Sequence, residues 1–369
     1  MKRKAAIFQG PGQPFQVREY PTVQPGPGLA GLALLSSGIC GTDVHIAAGK
    51  LAMPDFPLII GHEFIGRIDM LGAGPAVDAL GRPLAVGDRV IASVAVPCGN
   101  CFNCRKGETA SCLAFGVTYA QPASDPPHFH GGFAEYLYSP LTNLVKLPEQ
   151  VDTFAAAAFP CGGPTVIRAC EYGGGLEADE LIAIQGNGSL GLFALAWAKA
   201  HRCRTALIGS AANPARLALT EALAPDRFFD YRQSTNDDIR QALLAEARRL
   251  DRGDGADVVI ETSGAPDAFT FGLSLLRTRG RYFVPGQYSN RGAVAIEPQQ
   301  ITFRALRIIG SGQYTIADIG RYLEFLAAHP ELQKLFSRLV TRYPVAQVNQ
   351  AMADAEAGRA IKAVFVPEE

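Results

Sequence analysis

A mixed α/β protein of two domains, one β-rich and one built on a doubly wound parallel sheet, follows from three features of the sequence. The chain has 369 residues, which suits two cores better than one. Residues 1 to about 160 read as short extended runs, such as 32–35 and 89–96, punctuated by Gly and Pro, and this is turn-rich β structure. From about 164 to 313, apolar strands, glycine turns and helical stretches alternate, the pattern of parallel strands joined by helices.

Within the alternating region, Leu181–Gln185 reads as the first strand, followed by a helix through Trp197 and a second strand at 205–208. Residues 256–260 and 281–284 are further short apolar runs suited to buried parallel strands. After about 314 a helix is predicted over 319–328, closed by His329 and Pro330. Another is predicted over 345–357, with Gly358 where a positive φ is easiest to place, and a last strand over 361–366. The sequence has no internal repeat and no low-complexity segment.

Composition excludes several classes. Lys and Arg number 34 against 35 Asp and Glu, a formal net charge of −1, and 48% of residues are apolar. A globally basic nucleic-acid binder and long disordered regions are therefore disfavoured. The start is basic, but its apolar stretch, 5–8, ends at Gln9, Gly10 and Pro11, too short for a secretory core. The longest uncharged run, between Glu180 and Lys199, is interrupted by Gln185, Asn187, Ser189 and three glycines, which a membrane-spanning helix would rarely carry. A cytoplasmic protein with neither membrane nor nucleic acid as partner is expected.

Gly186-Asn187-Gly188-Ser189-Leu190-Gly191 is a G-x-G-x-x-G run between an apolar strand and a helical pattern. In that context Gly186 makes the tight turn, Gly188 lets a pyrophosphate approach the backbone, and Gly191 lets helix pack closely on strand. The phosphates would rest on unpaired N–H groups at the helix N-terminus.

Four of the eight cysteines crowd into fifteen positions: Cys98, Cys101, Cys104 and Cys112. Four soft ligands on one short loop suit a closed tetrahedral zinc site, structural because it leaves no coordination position free. The spacing ends in seven residues and Cys112-Leu113, not the three residues and Cys-Pro of a ferredoxin run. Cys170 and Cys203 lie in helical and near-strand contexts and read as packing residues. A second set is Cys40-Gly41-Thr42-Asp43-x-His45, Gly61-His62-Glu63-x2-Gly66 and Cys161 after the alanine run 155–158. Cys40, His62 and Cys161 make a Cys2His set, which keeps a fourth zinc position open for water or substrate; alcohol dehydrogenase is the standard instance of that ligand set.

In this order and spacing, over nearly the whole chain, these motifs resemble the zinc-containing medium-chain alcohol dehydrogenase family. The Cys-Gly-Thr-Asp-x-His form is closer to its polyol and threonine dehydrogenases than to its ethanol-type members. The resemblance implies a GroES-like catalytic domain from residues 1–163 and 314–369 and a Rossmann domain over 164–313. It implies catalytic zinc on Cys40, His62 and Cys161, Glu63 beside it, and Asp43 orienting the histidine. Thr42 and His45 match a proton relay that also uses the cofactor ribose, Thr165 and Leu190 match positions against the nicotinamide, and Lys362 matches a basic residue near the pyrophosphate. Val94 matches a substrate-pocket position. Plainer readings stand beside these: Asp43 as a helix cap, Glu63 as a salt-bridge partner, and His45 and Lys362 as surface groups.

The activity implied is reversible hydride transfer between a small-molecule alcohol, secondary or polyhydroxy, and NAD(P), giving a ketone or aldehyde, with two zinc ions per chain. A non-redox lyase or isomerase that uses bound cofactor transiently retains every motif, and a non-catalytic relative is the third reading. No acidic residue occurs between Glu180 and Glu221, and the second parallel strand ends at Ser210 where NAD-specific relatives carry Asp. Ser210 with Arg216, or Arg204, would then accommodate a 2′-phosphate, so NADP(H) is favoured over NAD(H). Residues 113–130, with Phe115, Tyr119, His128, Phe129 and His130, are longer than in many relatives and read either as a cap on the substrate pocket or as a surface excursion. The apolar run 306–309 suits pairing of sheet edges in a homodimer or homotetramer.

Overall fold

The computed structural model describes residues 1–287 and 291–368. The chain divides into Met1–Cys161 with Thr315–Glu369, and Gly162–Tyr314, against expected junctions at 163/164 and 313/314.

The first unit is built on a seven-stranded sheet. Its path runs Val340–Pro344, Lys362–Val366, Leu29–Gly38, Glu63–Leu71, Arg89–Ala92 and Leu144–Lys146, with Tyr136–Pro140 also paired to Leu29–Gly38. Every pairing is antiparallel except Val340–Pro344 with Lys362–Val366, whose parallel crossover holds the helix Val348–Glu356. Pairing register brings three remote segments together, because Gly38 lies opposite both Glu63 and Val364. Aromatic packing fills the interior: Phe133 meets Phe365 edge-on with centroids 4.9 Å apart, and Phe129 packs edge-on to Tyr136.

Three details depart from the sequence expectation. The run 89–96 splits into Arg89–Ala92 in the large sheet and Ala95–Val96 paired with Gly116–Val117. Asn143 draws the backbone away between them, its Nδ2 donating to Ser93 O (2.9 Å) and Ala95 O (3.0 Å). The helix expected over 319–328 starts earlier, at Ile316, because Thr315 and Asp318 form a capping box. The stretch 345–357 opens as a 3-10 turn, Val345–Gln347, before the helix proper, and Gly358 follows it at φ +68°.

The loop 113–130 is folded onto the sheet of its own unit. Phe129 is fully buried, Tyr20 stacks on His128 at 4.3 Å, and His130 Nε2 meets Asp125 O at 3.0 Å. Thr118 N donates to Val94 O, which ties the loop to the break between Arg89–Ala92 and Ala95–Val96.

The second unit is a six-stranded, wholly parallel sheet in the order Arg227–Asp230, Arg204–Gly209, Leu181–Gln185, Ala256–Glu261, Leu276–Val284, Arg307–Gly310. Numbered along the chain this is 3-2-1-4-5-6, the doubly wound Rossmann order, and its direction reverses beside Leu181–Gln185. Leu181–Gln185 and Ala256–Glu261 are buried at every position, as strands covered by helices on both faces must be. Arg307–Gly310, with most of the 306–309 run, is the edge strand.

Candidate metal centres and cofactor site

Cys40 follows the end of the Leu29–Gly38 strand and caps the helix Gly41–Ala47. Its N–H donates to Asp43 Oδ2 at 2.8 Å, closing a capping box. The other oxygen, Asp43 Oδ1, stands 3.3 Å from His62 Nδ1, at ion-pair distance but off the line of a hydrogen bond. Asp43 is therefore the third residue of the helix, not the cap of one starting at Val44, and its carboxylate both closes the capping box and faces the imidazole. Thr42 Oγ1 lies 3.8 Å from Cys40 Sγ, and His45 sits one turn further along the same short helix.

His62 is placed by Gly61, which adopts φ +101°. A Cβ there would also stand 2.4 Å from the Phe133 ring, so only glycine fits. Gly61→Ala is expected to cost about 3 kcal/mol through positive φ and overpacking together. Urea denaturation measures it, and a loss below about 1 kcal/mol would show that the turn can relax.

Cys161 follows the helix Thr153–Ala158, which is anchored from three directions. Asp152 Oδ1 accepts from Phe154 N and Ala155 N, Tyr322 donates its hydroxyl to Ala155 O (3.2 Å) and Ala156 O (3.0 Å), and Gln333 Oε1 accepts from Asp152 N at 2.8 Å. Tyr322 and Gln333 were not singled out from the sequence, and no spacing signal marks them.

The result is a cluster in which Cys40, His62, Glu63 and Cys161 each offer a ligand atom, all within 4.8 Å of one another. Two soft sulfurs and one imidazole nitrogen fit zinc, whose bonds of about 2.0–2.3 Å hold ligand atoms at such separations. The Cys161 thiol donates toward Cys40 and holds that thiol well below its ordinary range, even against burial, while Cys161 is pushed up in return. Burial pushes His62 down, but the Asp43 carboxylate and Cys40 outweigh it and hold the imidazole up. Metal binding would displace the protons these groups hold.

Glu63 forms a buried ion pair with Lys362, 299 residues away in sequence. Burial raises the Glu63 carboxyl to about 7, opposed by the ammonium. Gly38 makes the space, since a Cβ there would overlap Glu63 Oε2. Lys362 is thus a buried partner of Glu63, not a solvated surface lysine.

The four-cysteine lobe brings its sulfurs within 4.8 Å of one another as a second closed set. Cys98 N donates to Cys112 Sγ at 3.2 Å and Cys104 N to Cys101 Sγ at 3.5 Å. The Leu113 and Cys104 amides lower the Cys101 thiol to about 6, favouring the thiolate that binds metal.

In the second unit, Gly186 turns at φ +106°, and a Cβ on Gly191 would stand 1.9 Å from Gly186 O. Gly188 caps the helix Ser189–Ala200, and a Cβ there would meet nothing within 4 Å, leaving room for a phosphate. Asn187 fixes the end of the second strand, donating to Ser210 O (3.0 Å) and accepting from Ser210 N (3.1 Å). Arg216 is the third residue of the helix Pro214–Leu223. Arg204 is engaged with Asp226 at 3.7 Å. Leu190 lies beside Gly162 at the start of the helix Gly162–Tyr172, whose Thr165 is buried.

Residues 26–149 match the family model of the alcohol dehydrogenase GroES-like domain, and residues 189–328 that of zinc-binding dehydrogenases. The chain is 30% identical over 348 residues to 5-exo-hydroxycamphor dehydrogenase of Pseudomonas putida, covering 94% of this chain and 91% of that protein. It is 28% identical to sorbitol dehydrogenase of Halalkalibacterium halodurans, covering 100% and 99%. Among solved structures, an alcohol dehydrogenase from Thermotoga maritima superposes with a TM-score of 0.92 at 26% identity, covering 100% of both chains. The chain belongs to the zinc-containing medium-chain alcohol dehydrogenase family. It is a zinc-dependent oxidoreductase that passes hydride between an alcohol and a nicotinamide cofactor. Among the described residues, no helix is long and apolar enough to cross a membrane.

Proposed function

We propose that Cys40, His62 and Cys161 hold the catalytic zinc, that Cys98, Cys101, Cys104 and Cys112 hold a structural one, and that the substrate is a secondary or polyhydroxy alcohol. The convergence of the Cys2His donors with Glu63 carries this reading. Zinc bound there supplies Lewis acidity, lowering the pKa of the substrate hydroxyl, and the nicotinamide supplies the hydride acceptor. Asp43 orients His62, and the Glu63–Lys362 pair keeps a compensated carboxylate beside the donors. The Thr42 hydroxyl accepts the substrate proton as it releases its own into the relay, and His45 delivers a proton to solvent, as an imidazole can near neutrality. The small side chain of Val94 leaves room for a branched carbinol, and the hydroxycamphor and sorbitol relatives point to such substrates. A panel of secondary alcohols, polyols and primary alcohols, followed at the nicotinamide absorbance band, tests the proposal; primary alcohols as the best substrates by kcat/KM would overturn the substrate class.

His45→Asn is expected to slow alcohol oxidation by about 10-fold at low pH, where proton acceptors are scarce, and less at high pH. An unchanged pH–rate profile would remove His45 from the route.

For the cofactor, Gly186, Gly188 and Gly191 cradle the pyrophosphate and Thr165 and Leu190 pack against the nicotinamide, whereas the Lys362 ammonium is committed to Glu63 and Ile39 O and is assigned no cofactor contact. Ser210 and Arg216 belong to the adenosine end, and the lack of a carboxylate at 210 favours NADP(H). Ser210→Asp is expected to move the kcat/KM ratio toward NAD(H) by about 10-fold or more through repulsion of the 2′-phosphate. The reading fails if wild type strongly prefers NAD(H) or the variant shows no shift. Placement in the cytoplasm and a homodimer or homotetramer formed along the Arg307–Gly310 edge complete the proposal.

A further inference from the structure

We propose that Arg232 is the residue that selects for the adenosine 2′-phosphate, working against Asp230 in the same cavity; this rests on the NADP(H) reading above. The second and third parallel strands end side by side, with Gly209 opposite Asp230. Immediately beyond them lies an open cavity of ≈ 340 Å³ lined by Ala211, Ala212, Asp230, Arg232 and Gln233. The carboxyl end of the second strand is where a doubly wound fold reads the adenosine ribose.

The wall from the second strand is low and fixed. Asn187 clamps Ser210 through both backbone groups, Ser210 Oγ accepts from Ala212 N at 3.2 Å, and the two alanines project only methyl groups. The opposite wall is a turn held by Asp230: its Oδ1 accepts from Arg232 N at 3.0 Å, and its carbonyl accepts from Gln233 N and Ser234 N. That turn leaves the Arg232 side chain exposed, without a hydrogen bond or ion pair among the described residues.

Other arginines nearby are occupied or elsewhere. Arg204 faces Asp226, Arg227 faces Glu246, and Arg216 does not line the cavity. An arginine fork binds a phosphate through two charged hydrogen bonds. The Asp230 carboxylate shares the cavity and repels the same dianion, so cofactor selectivity is the balance between the two side chains.

Calorimetric titration of the zinc-loaded enzyme with 2′,5′-ADP and with 5′-AMP separates the 2′-phosphate from the rest of the adenosine site. Wild type is expected to bind 2′,5′-ADP more tightly than 5′-AMP. Arg232→Ala should weaken 2′,5′-ADP about 10- to 100-fold and leave 5′-AMP within about 2-fold. Arg232→Lys should recover part of the loss, and Asp230→Asn, which can keep the turn, should tighten 2′,5′-ADP several-fold, about what one unfavourable charge contact imposes. Arg227→Ala, whose guanidinium faces Glu246 outside the cavity, should leave both ligands within about 2-fold. If Arg216→Ala causes the selective loss and Arg232→Ala does not, the assignment is overturned. Equal wild-type affinity for the two ligands would instead show that the NADP(H) reading itself is wrong, and the proposal would fall with it.

Discussion

Cys40→Ser is expected to lower kcat by about 1000-fold or more while the protein stays folded. Removing one soft donor from the proposed three-ligand zinc site would weaken the hold on the ion that polarises the substrate, and Lewis-acid stabilisation there would be worth several kcal/mol. The backbone role of Cys40 survives the change. Its N–H still reaches Asp43 Oδ2, and serine is a better helix cap than cysteine. Thermal denaturation should remain one cooperative transition at a lowered midpoint, the shift reflecting loss of the bound ion and not of the fold. Retention of more than about a tenth of wild-type turnover would contradict the assignment, because an intact Cys2His set is what the rate is held to depend on.

Cys98→Ser should do the reverse, lowering stability far more than intrinsic turnover. The lobe has almost no core of its own: neither the helix Phe102–Arg105 nor the 3-10 turn Thr109–Ser111 contains a buried residue. Phe102 and Leu113 are 62% and 74% exposed. With so little apolar burial, the order of the lobe is expected to depend on the proposed structural zinc, whose binding energy would be folding energy there. The loss is expected to be about 3 kcal/mol or more, with proteolytic nicking confined to 97–113. A variant as stable and protease-resistant as wild type would show that backbone packing alone holds the lobe.

Local geometry explains what was readable from the sequence. The glycines at 186, 188 and 191 each answer a demand made within one strand–turn–helix, and the four lobe cysteines lie within one loop, so spacing alone exposes both. His62 stood out in the sequence by its place between Gly61 and Glu63 together with two suitably spaced cysteines, and the structure adds that Gly61 turns at φ +101°. Long-range partners were not readable. Lys362 reaches Glu63 only because the last strand pairs with Leu29–Gly38, and Tyr322 supports the helix before Cys161 from 166 residues away. The helix start at Ile316 is set by the Thr315–Asp318 capping box, a T-x-x-D pattern, whereas the apolar period is clearest only from Ile319 onward. For the 113–130 loop, composition could not decide between cap and excursion, and the burial of Phe129 shows the segment packed on its own sheet.

Zinc content measured alongside hydride transfer in wild type, Cys40→Ser and Cys98→Ser tests the central claim most directly. The expected result is about two zinc ions per chain in wild type and about one in each variant, with turnover per folded molecule abolished only in Cys40→Ser. A wild type holding a single zinc, or a Cys40→Ser variant that keeps both ions and still turns over, would contradict the account.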